Sequence, residues 1–262
     1  MPELALRTLR SERAAMIGWS LSTLALVAVV LAFWPSIEGD DTLTRSFGEL
    51  PPSVQSAVGI ADLGTPAGYL QGQLFSTLGP LIFLSFAIGR GARAIAGEEE
   101  RGTMDLLLAT PIHRARVVIE KAVALLAGLL ALGLVTWLGL VAIGPLVDID
   151  LSAGKLAAAT AGNLLLGVLY GGIALCLSGA TGRRGLSLGI AAGLAAAGFL
   201  YTSIAPFVAG LSDHLGFSPF QWAYGDEPLR NGADWGDFGL LLAGGLLFTA
   251  LAVALFDRRD VR

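Results

Sequence analysis

Six long apolar segments constrain the fold of this chain more than any other feature of its sequence. Charged residues cluster between these segments, which span roughly residues 16–34, 69–89, 122–147, 156–179, 186–209 and 238–256. Each segment is close to the ~20 residues that an α-helix needs to cross the hydrocarbon core of a bilayer. The chain is 54% apolar and only 15% charged, whereas a soluble protein needs more charge to coat its surface. We therefore predict an all-α, polytopic membrane protein with about six transmembrane helices, forming a single domain over residues 1–262.

The basic residues predict the orientation of these segments. Fourteen of the 17 lysines and arginines lie before segment one, between two and three, between four and five, or after six. Only Arg45, Lys155 and Arg230 lie on the other side. Because cytoplasmic loops carry the excess of Lys and Arg, we expect cytoplasmic N and C termini in a multi-pass protein of the plasma membrane. Bulky Phe33 and Trp34 stand where a signal peptide has small residues, so segment one is interpreted as an uncleaved anchor.

Two stretches on the sparsely charged side predict external loops. Residues 35–68 are rich in Pro, Gly, Ser and acidic residues, which favour loop structure. Residues 210–237 contain Trp222, Tyr224 and Trp235 among polar residues. Because such aromatic side chains settle at membrane interfaces, this second loop is expected to contain a short re-entrant or interfacial helix.

Polar residues are few within the segments. The notable ones are Asn163 in segment four and, in segment two, Gln71, Gln73, Ser76 and Thr77. Proton- and ion-coupled carriers usually need intramembrane carboxylates or histidines, and these segments contain none, so the energy for any transport has to come from elsewhere. The single cysteine, Cys176, lies in an apolar run and permits neither an intrachain disulfide nor a cysteine zinc site.

Small residues recur at every fourth position of segment five. This stripe consists of Gly185, Gly189, Gly193 and Ala197. The spacing places the four on one helix face and lets a neighbouring backbone approach closely. The stripe therefore serves either packing within the chain or a subunit interface about which two chains dimerise. Segment four has the same feature in Gly167 and Gly171.

The longest cytoplasmic stretch, residues 90–116, carries the sequence AGEEERGTMDLLLATPIHR at 96–114. Thr103 is a good N-cap for a short helix at the membrane surface. Thr110 followed by Pro111 repeats the signal and predicts the start of a helix that runs into segment three. Two short helical elements are therefore expected in this stretch.

Three consecutive glutamates, Glu98, Glu99 and Glu100, precede the first of these elements. Taken alone, such a run is more often a solvated face than a docking site. Gly102 allows a sharp turn between the glutamates and the capped helix. Because the run is joined to an apolar, capped element, it predicts a surface on which a partner docks.

This stretch resembles the corresponding loop in permease subunits of the ABC-2 type export family. The resemblance is carried by residues 97–103, 106–111, Arg114 and Glu120-Lys121, and by the later stretches 218–220 and 226–232. The family pattern usually ends in Gly-Lys, whereas Glu120 takes the place of that glycine. The similarity is strongest to the six-span branch, which includes antibiotic exporters and the NosY-like permeases of copper-enzyme maturation.

The resemblance implies the partners of the chain. In this family, two permease subunits, identical or paralogous, line a path, and two separate cytoplasmic ATPases drive export through it. The loop between helices two and three would be a coupling helix seated on the ATPase. This implies a contact made by Glu98, Glu99, Glu100, Arg101, Gly102, Thr103, Met104, Leu107 and Leu108. Residues 1–15 would form an amphipathic interfacial helix against the same partner.

The absence of a nucleotide-binding motif fits this division of labour. The chain contains no GxxxxGK[ST] phosphate loop, so ATP and Mg²⁺ are expected to bind a separate ATPase subunit. We predict no catalytic, cofactor-binding or metal-binding residues in this chain. We also predict no nucleic-acid partner, because no basic block is long enough.

Other functions compete with the permease interpretation. An intramembrane enzyme would need a base beside its nucleophile, but Ser178 lies in segment four while His113 and His214 lie in loops. A non-transporting membrane scaffold would have no ATPase partner. A role in copper-enzyme maturation fits poorly with a bare copper ion as cargo, since the 3 methionines form no ligand cluster. The apolar helices favour a neutral, amphipathic or lipid-like substrate.

Overall fold

A computed structural model describes residues 13–38, 64–102, 113–208 and 210–259. These ranges are mostly helical and contain no strand, which confirms the all-α prediction. Within them, 6 helices are long and apolar enough to cross a membrane. They are α1 (Arg13–Glu38), α2 (Pro66–Ala94), α3 (Arg114–Ile143), α4 (Ala153–Thr181), α5 (Arg184–Ile204) and α6 (Trp235–Asp257).

The long helices coincide with the apolar segments of the sequence and extend beyond most of their ends. The clearest extension is in α3, which begins at Arg114 rather than near residue 122. Its 30 residues span about 45 Å at ~1.5 Å per residue, compared with ~30 Å for the hydrocarbon core. The polar first turns of α3 therefore project beyond the apolar layer.

The central helix of the bundle is α4, which packs against α2, α3, α5 and α6. Glycines let the backbones meet at these crossings. A Cβ atom on Gly91 of α2 would lie 2.5 Å from the carbonyl oxygen of Gly171, and one on Gly172 would lie 2.9 Å from that of Gly245 in α6. Gly167 and Gly171 belong to the buried face of α4, so the small residues of segment four serve packing within the chain.

The outer helices present apolar side chains to their surroundings. Leu21 of α1, Leu194 of α5 and Leu246 of α6 are each at least half exposed. A patch of this kind would promote aggregation in water. In a bilayer, lipid tails cover these side chains, so the surface agrees with a membrane-spanning bundle.

The first half of α2 contains a π-helical segment, Gln71–Leu78. The wider turn changes the backbone hydrogen-bonding pattern and is uncommon inside α-helices. Asn163 of α4, which is 2% exposed, donates from Nδ2 to the carbonyl oxygen of Phe75 at 3.1 Å. Gly79 makes room for this amide, because a Cβ atom there would lie 2.7 Å from Asn163 Nδ2. The polar residue noted in segment four thus supports an irregular turn of α2.

Residues 210–237 fold back against the long helices. Three short helices lie in this region, Ser212–Phe217, Pro219–Tyr224 and Pro228–Asn231. Phe220 is fully buried between Tyr170 of α4 and Phe199 of α5. Burial also raises the pKa of the neighbouring Tyr224. A short helix is therefore present in this loop and is covered by protein, while its re-entrant placement stays a prediction.

Several predicted elements fall partly outside the described residues. Residues 1–12 of the amphipathic N-terminal stretch lie outside them, as do residues 39–63 of the first external loop. Residues 103–112 of the longest cytoplasmic loop also lie outside. That last range includes Thr103, Met104, Leu107, Leu108, Thr110 and Pro111.

Candidate functional site: an acidic helix at the basic end of the bundle

The stretches richest in arginine and lysine come together at one end of the bundle, called the basic end below. It contains the C-terminal ends of α2, α4 and α6 and the N-terminal ends of α3 and α5. A short helix, Ala96–Glu100, follows α2 at this end. We call it the acidic helix because it carries the three consecutive glutamates. It is the described part of the stretch that resembles the coupling loop.

A buried hydroxyl stabilises the break between α2 and the acidic helix. At Ile95 the backbone departs from regular helix, with φ −113° and ψ −58°. Ser178 Oγ of α4 accepts hydrogen bonds from the amides of Ile95 and Ala96, at 3.3 and 2.9 Å. The same hydroxyl donates to the carbonyl oxygen of Ala92 at 3.0 Å. Because Ser178 is fully buried, α4 sets the direction in which the acidic helix leaves α2.

Glu98 and Glu100 attach the acidic helix to α3 and α5. The Glu98 carboxylate pairs with Lys121 of α3 at 2.8 Å, and both side chains are largely buried. Glu100 Oε1 accepts from the backbone N–H of Arg184 at 3.2 Å, in the first turn of α5. The free amides at a helix N-terminus stabilise a negative charge in this position. These contacts join the acidic helix to α3 and to the start of α5.

Glu99 attaches the acidic helix to the end of α6. Its carboxylate forms an ion pair with Arg259, just beyond α6. Arg259 also donates from Nη1 to the carbonyl oxygen of Gly179, at 2.9 Å in the last turns of α4. The carbonyl oxygen of Arg259 accepts from Arg114 Nη1 at 2.5 Å, at the start of α3. Arg259 thus joins the acidic helix to three of the long helices.

Gly182 makes room for this ion pair. It caps the C-terminus of α4 with φ +63°, in the left-handed region that favours glycine. A Cβ atom on Gly182 would collide with both Glu99 and Arg259. A larger residue at this position would therefore strain the backbone and displace the pair at the same time.

The exposure of the predicted ATPase contact is uneven. The side chains of Glu98 and Glu99 are only 18% and 11% exposed and bind partners in the chain itself. Glu100, Arg101 and Gly102 are exposed and form the tip of the described segment. The remaining predicted contact residues follow in 103–112, outside the described ranges. The contact with an ATPase stays a prediction, and its accessible described part is this tip.

Three residues of the site were not predicted from the sequence. The sequence of Ser178 and its surroundings suggests only a candidate nucleophile, although a lone hydroxyl in an apolar run also fits a structural hydrogen bond. Gly182, directly after an apolar segment and before two arginines, is a typical helix C-cap signal. Arg259 carried no signal beyond its charge, since its partner Glu99 lies 160 residues away in sequence.

An apolar groove of about 570 Å³ lies between α2 and α5. Leu84 and Ile88 line it from α2, Leu188 and Phe199 from α5, and Phe220 from the short helix of the 210–237 region. The lining is dominated by aliphatic and aromatic side chains, so the groove suits an apolar surface or molecule.

The stripe of small residues faces away from the rest of the described chain. No described atom lies within 4 Å of a Cβ atom built on Gly185, Gly189 or Gly193, and Ala197 is exposed. The face that α5 does bury carries Ser187, Ala191 and Ala195. Among the described residues, the stripe therefore makes no packing contact within the chain. Such packing was the first of the two roles predicted for it.

Six helices of the described ranges that are long and apolar enough to cross a membrane define a polytopic membrane protein. The sequence matches the family described as ABC-2 family transporter protein over residues 8–261, so the chain belongs to that family. The match confirms the predicted family and the role of the chain as a membrane permease of a transporter. No functionally curated protein matches the sequence.

Proposed function

We propose that this chain is the permease subunit of an ATP-driven exporter and that it engages a separate cytoplasmic ATPase through the acidic helix. The observation that carries this proposal is the attachment of the acidic helix to α3, α4, α5 and α6. A loop that only connected two helices would need none of these contacts. Together with the family membership, they support a loop that transmits force.

The transmission follows from the burial of its contacts. An ATPase bound to the exposed tip and to residues 103–112 would displace the acidic helix when its nucleotide-binding sites close. The Glu98–Lys121 and Glu99–Arg259 pairs lie away from bulk water, where an ion pair is screened less than at the surface. The ends of α3 and α6 would therefore move with the acidic helix. ATP and Mg²⁺ would bind the ATPase, with two copies serving two permease subunits.

The path would form where two permease subunits meet. The groove between α2 and α5 is apolar and lies on the outside of one chain, so a second copy or a paralogue would close it. The outward stripe on α5 would let the second subunit approach closely. A path of this composition favours a neutral, amphipathic or lipid-like substrate over a small ion.

The basic end would face the cytoplasm of a plasma membrane. This orientation places both termini and the acidic helix on the side of the ATPase, as the positive-inside rule requires. A reporter that is active only in the cytoplasm, fused after Arg262, should be active. Activity of an exported reporter at the same position would reverse the orientation and remove the acidic helix from the reach of any cytoplasmic ATPase.

Co-purification tests the ATPase partnership. The chain is co-expressed with the ATPase encoded nearest to its gene and purified in nanodiscs. In the contact variant, Arg101→Ala is combined with Leu107→Ala at the predicted contact. In the matched control, Glu227→Ala is combined with Arg230→Ala, which removes an exposed 3.1 Å ion pair from the 210–237 region. We expect the contact variant to retain about tenfold less ATPase, as is common when interface anchors are removed, and the control to retain as much as the wild type.

Two results would count against the proposal. Equal retention by the contact variant and the control would place the ATPase contact elsewhere on the chain. Failure of the wild type to retain any ATPase would favour the membrane scaffold as the function.

A further inference from the structure

A pocket of about 370 Å³ lies at the basic end, beside the acidic helix. Its walls come from the end of α2, the acidic helix, α3 and the start of α5. Basic side chains outnumber carboxylates in the described lining by five to two. An excess of positive charge in a concave site indicates an anionic ligand.

Part of this charge is engaged within the protein. Glu98 pairs with Lys121, and Glu100 accepts from a backbone N–H at the start of α5. The Arg90 guanidinium lies 5.1 Å from the centroid of the Phe86 ring, where a cation is stabilised by the aromatic face. These groups already have partners within the chain, and they form part of the pocket wall.

Arg93, Arg101 and Arg184 line the same pocket, and no described carboxylate forms an ion pair with any of them. Arg93 donates from Nε to the carbonyl oxygen of Gly89 at 2.9 Å, and Arg101 donates from Nε to that of Gly97 at 2.7 Å. These bonds orient two of the side chains but add no negative charge, so the lining keeps its excess of basic side chains over carboxylates. Within the described ranges none of the three arginines forms an ion pair. The charges of Arg101 and Arg184 also repel that of Arg93, and an anion between them would relieve this repulsion.

The position of the pocket indicates which anion it takes. The guanidinium fork matches the oxygens of a phosphate, to which it can donate two parallel hydrogen bonds. Basic pockets between transmembrane helices on the cytoplasmic side are suited to anionic lipid headgroups. Ala94, Ala124 and Leu125 contribute an apolar wall beside the arginines, as a ligand with an apolar portion requires.

We propose that this pocket binds the phosphate of an anionic phospholipid headgroup. The bound phosphate would bridge α2, the acidic helix and α5 through Arg93, Arg101 and Arg184. It would thereby stabilise the junction of these three helices, on which the ATPase is proposed to act. The site itself needs no ATPase, so it can be tested on the purified chain alone.

The test is lipid binding by the full-length chain in detergent, followed by native mass spectrometry. Dioctanoyl phosphatidylglycerol and dioctanoyl phosphatidylcholine are titrated in parallel. The pocket variant combines Arg93→Gln with Arg184→Gln. The matched control combines Arg183→Gln with Arg258→Gln, two exposed arginines of the same end that do not line the pocket. A second pocket variant, Arg93→Lys with Arg184→Lys, keeps the charge. It distinguishes an effect of the lost charge from an effect of misfolding.

We expect the wild type to prefer phosphatidylglycerol and the Gln variant to bind it about tenfold more weakly, since each lost arginine removes one attraction to the anion. The control should match the wild type, and the Lys variant should fall between the two. Equal weakening in the Gln variant and the control would overturn the proposal, and so would equal binding of both lipids by the wild type.

Two competition experiments identify the source of the anion. Glycerol phosphate and inorganic phosphate are added as competitors at the concentration of the lipid. Failure of both to displace phosphatidylglycerol supports the lipid, whereas full displacement supports the phosphate site but assigns it to a soluble molecule. If the Gln variant binds phosphatidylglycerol as tightly as the wild type does, the arginines of this pocket do not hold the phosphate and the lipid proposal is wrong.

Discussion

The Ser178 hydroxyl forms hydrogen bonds with backbone groups that lose their helical partners where α2 ends. The amides of Ile95 and Ala96 are buried at this break and have no helical acceptor in the usual position. An unsatisfied buried N–H destabilises the folded state, because water cannot replace the missing partner. One serine therefore decides whether α2 can turn into the acidic helix at this point.

Replacing Ser178 with Ala should destabilise the acidic helix. We expect a loss of about 1–3 kcal/mol in the free energy of unfolding, because the substitution leaves buried N–H groups without an acceptor. Hydrogen exchange of the peptide covering residues 95–102 should accelerate in the variant. Ser203→Ala is the matched control, since Ser203 Oγ donates only to the carbonyl oxygen of Phe199 in its own helix, at 2.9 Å. Equal effects of the two substitutions would show that the Ser178 bridge has no special role.

Gly182→Ala should disturb the ion pair between Glu99 and Arg259. The comparison is with Gly210→Ala, because both glycines have positive φ, at +63° and +86°. Among the described atoms, only the Cβ atom at residue 182 meets a neighbour, since none of them lies within 4 Å of that at residue 210. Both variants should lose about 1 kcal/mol through the backbone. Gly182→Ala should lose more than Gly210→Ala, because its Cβ atom displaces the side-chain ends of Glu99 and Arg259 and breaks their ion pair; thermal unfolding in detergent measures the difference. Identical losses would contradict this interpretation of Gly182.

At the scale of elements, the acidic helix shows what a single sequence can and cannot predict. The run of glutamates and the turn at Gly102 are local patterns that predict a distinct element in this loop. A short helix, Ala96–Glu100, lies there, while its cytoplasmic placement stays a prediction. Its attachments are not local. The partners of Glu98, Glu99 and Glu100 lie 23, 160 and 84 residues away along the chain. Nothing in their local patterns indicates these pairings, so the sequence supports only a solvated face or a docking surface for the glutamates.

The π-helical turn of α2 is a second element whose stability depends on a distant residue. Asn163→Leu keeps the approximate size of the side chain but removes the donor to the Phe75 carbonyl oxygen. We expect a loss of about 0.5–2 kcal/mol, the range of values measured for hydrogen bonds between membrane helices. Urea unfolding in detergent measures it. Asn231→Ala removes an exposed amide donor to the Asp226 carbonyl oxygen and should change stability much less. An Asn163 variant as stable as the wild type would mean that the π-helical turn does not need this bond.

At the scale of the whole molecule, the number and approximate extent of the long helices could be predicted because hydropathy is a local property. The side on which each helix packs could not. Lipid tails and the protein interior are equally apolar, so composition does not distinguish a lipid-facing side from a buried one. On α5 the regular stripe at Gly185 faces outward, while Ser187, Ala191 and Ala195 are buried. Residue spacing shows that small residues recur on both faces of α5, but it does not show which face is buried.

The outward stripe predicts an effect on assembly rather than on folding. Gly189→Leu combined with Gly193→Leu should leave the monomer folded, because no described atom lies near either position. If α5 forms the subunit interface, the variant should lose the dimer, as measured by light scattering in detergent. Gly18→Leu combined with Gly239→Leu places the same residues on the open faces of α1 and α6 and should leave the dimer intact. A dimer that survives the stripe variant would place the interface elsewhere.

The most direct test of the proposed coupling is site-specific photo-crosslinking in membranes that contain the chain and the ATPase encoded nearest to its gene. A photoreactive amino acid is placed at residue 101, at the tip of the acidic helix, or at residue 227, in the 210–237 region. We predict an ATPase crosslink from residue 101, stronger when ATP is added, and none from residue 227. A crosslink from residue 227 alone, or no ATPase crosslink from residue 101 in either nucleotide state, would contradict the role proposed for the acidic helix.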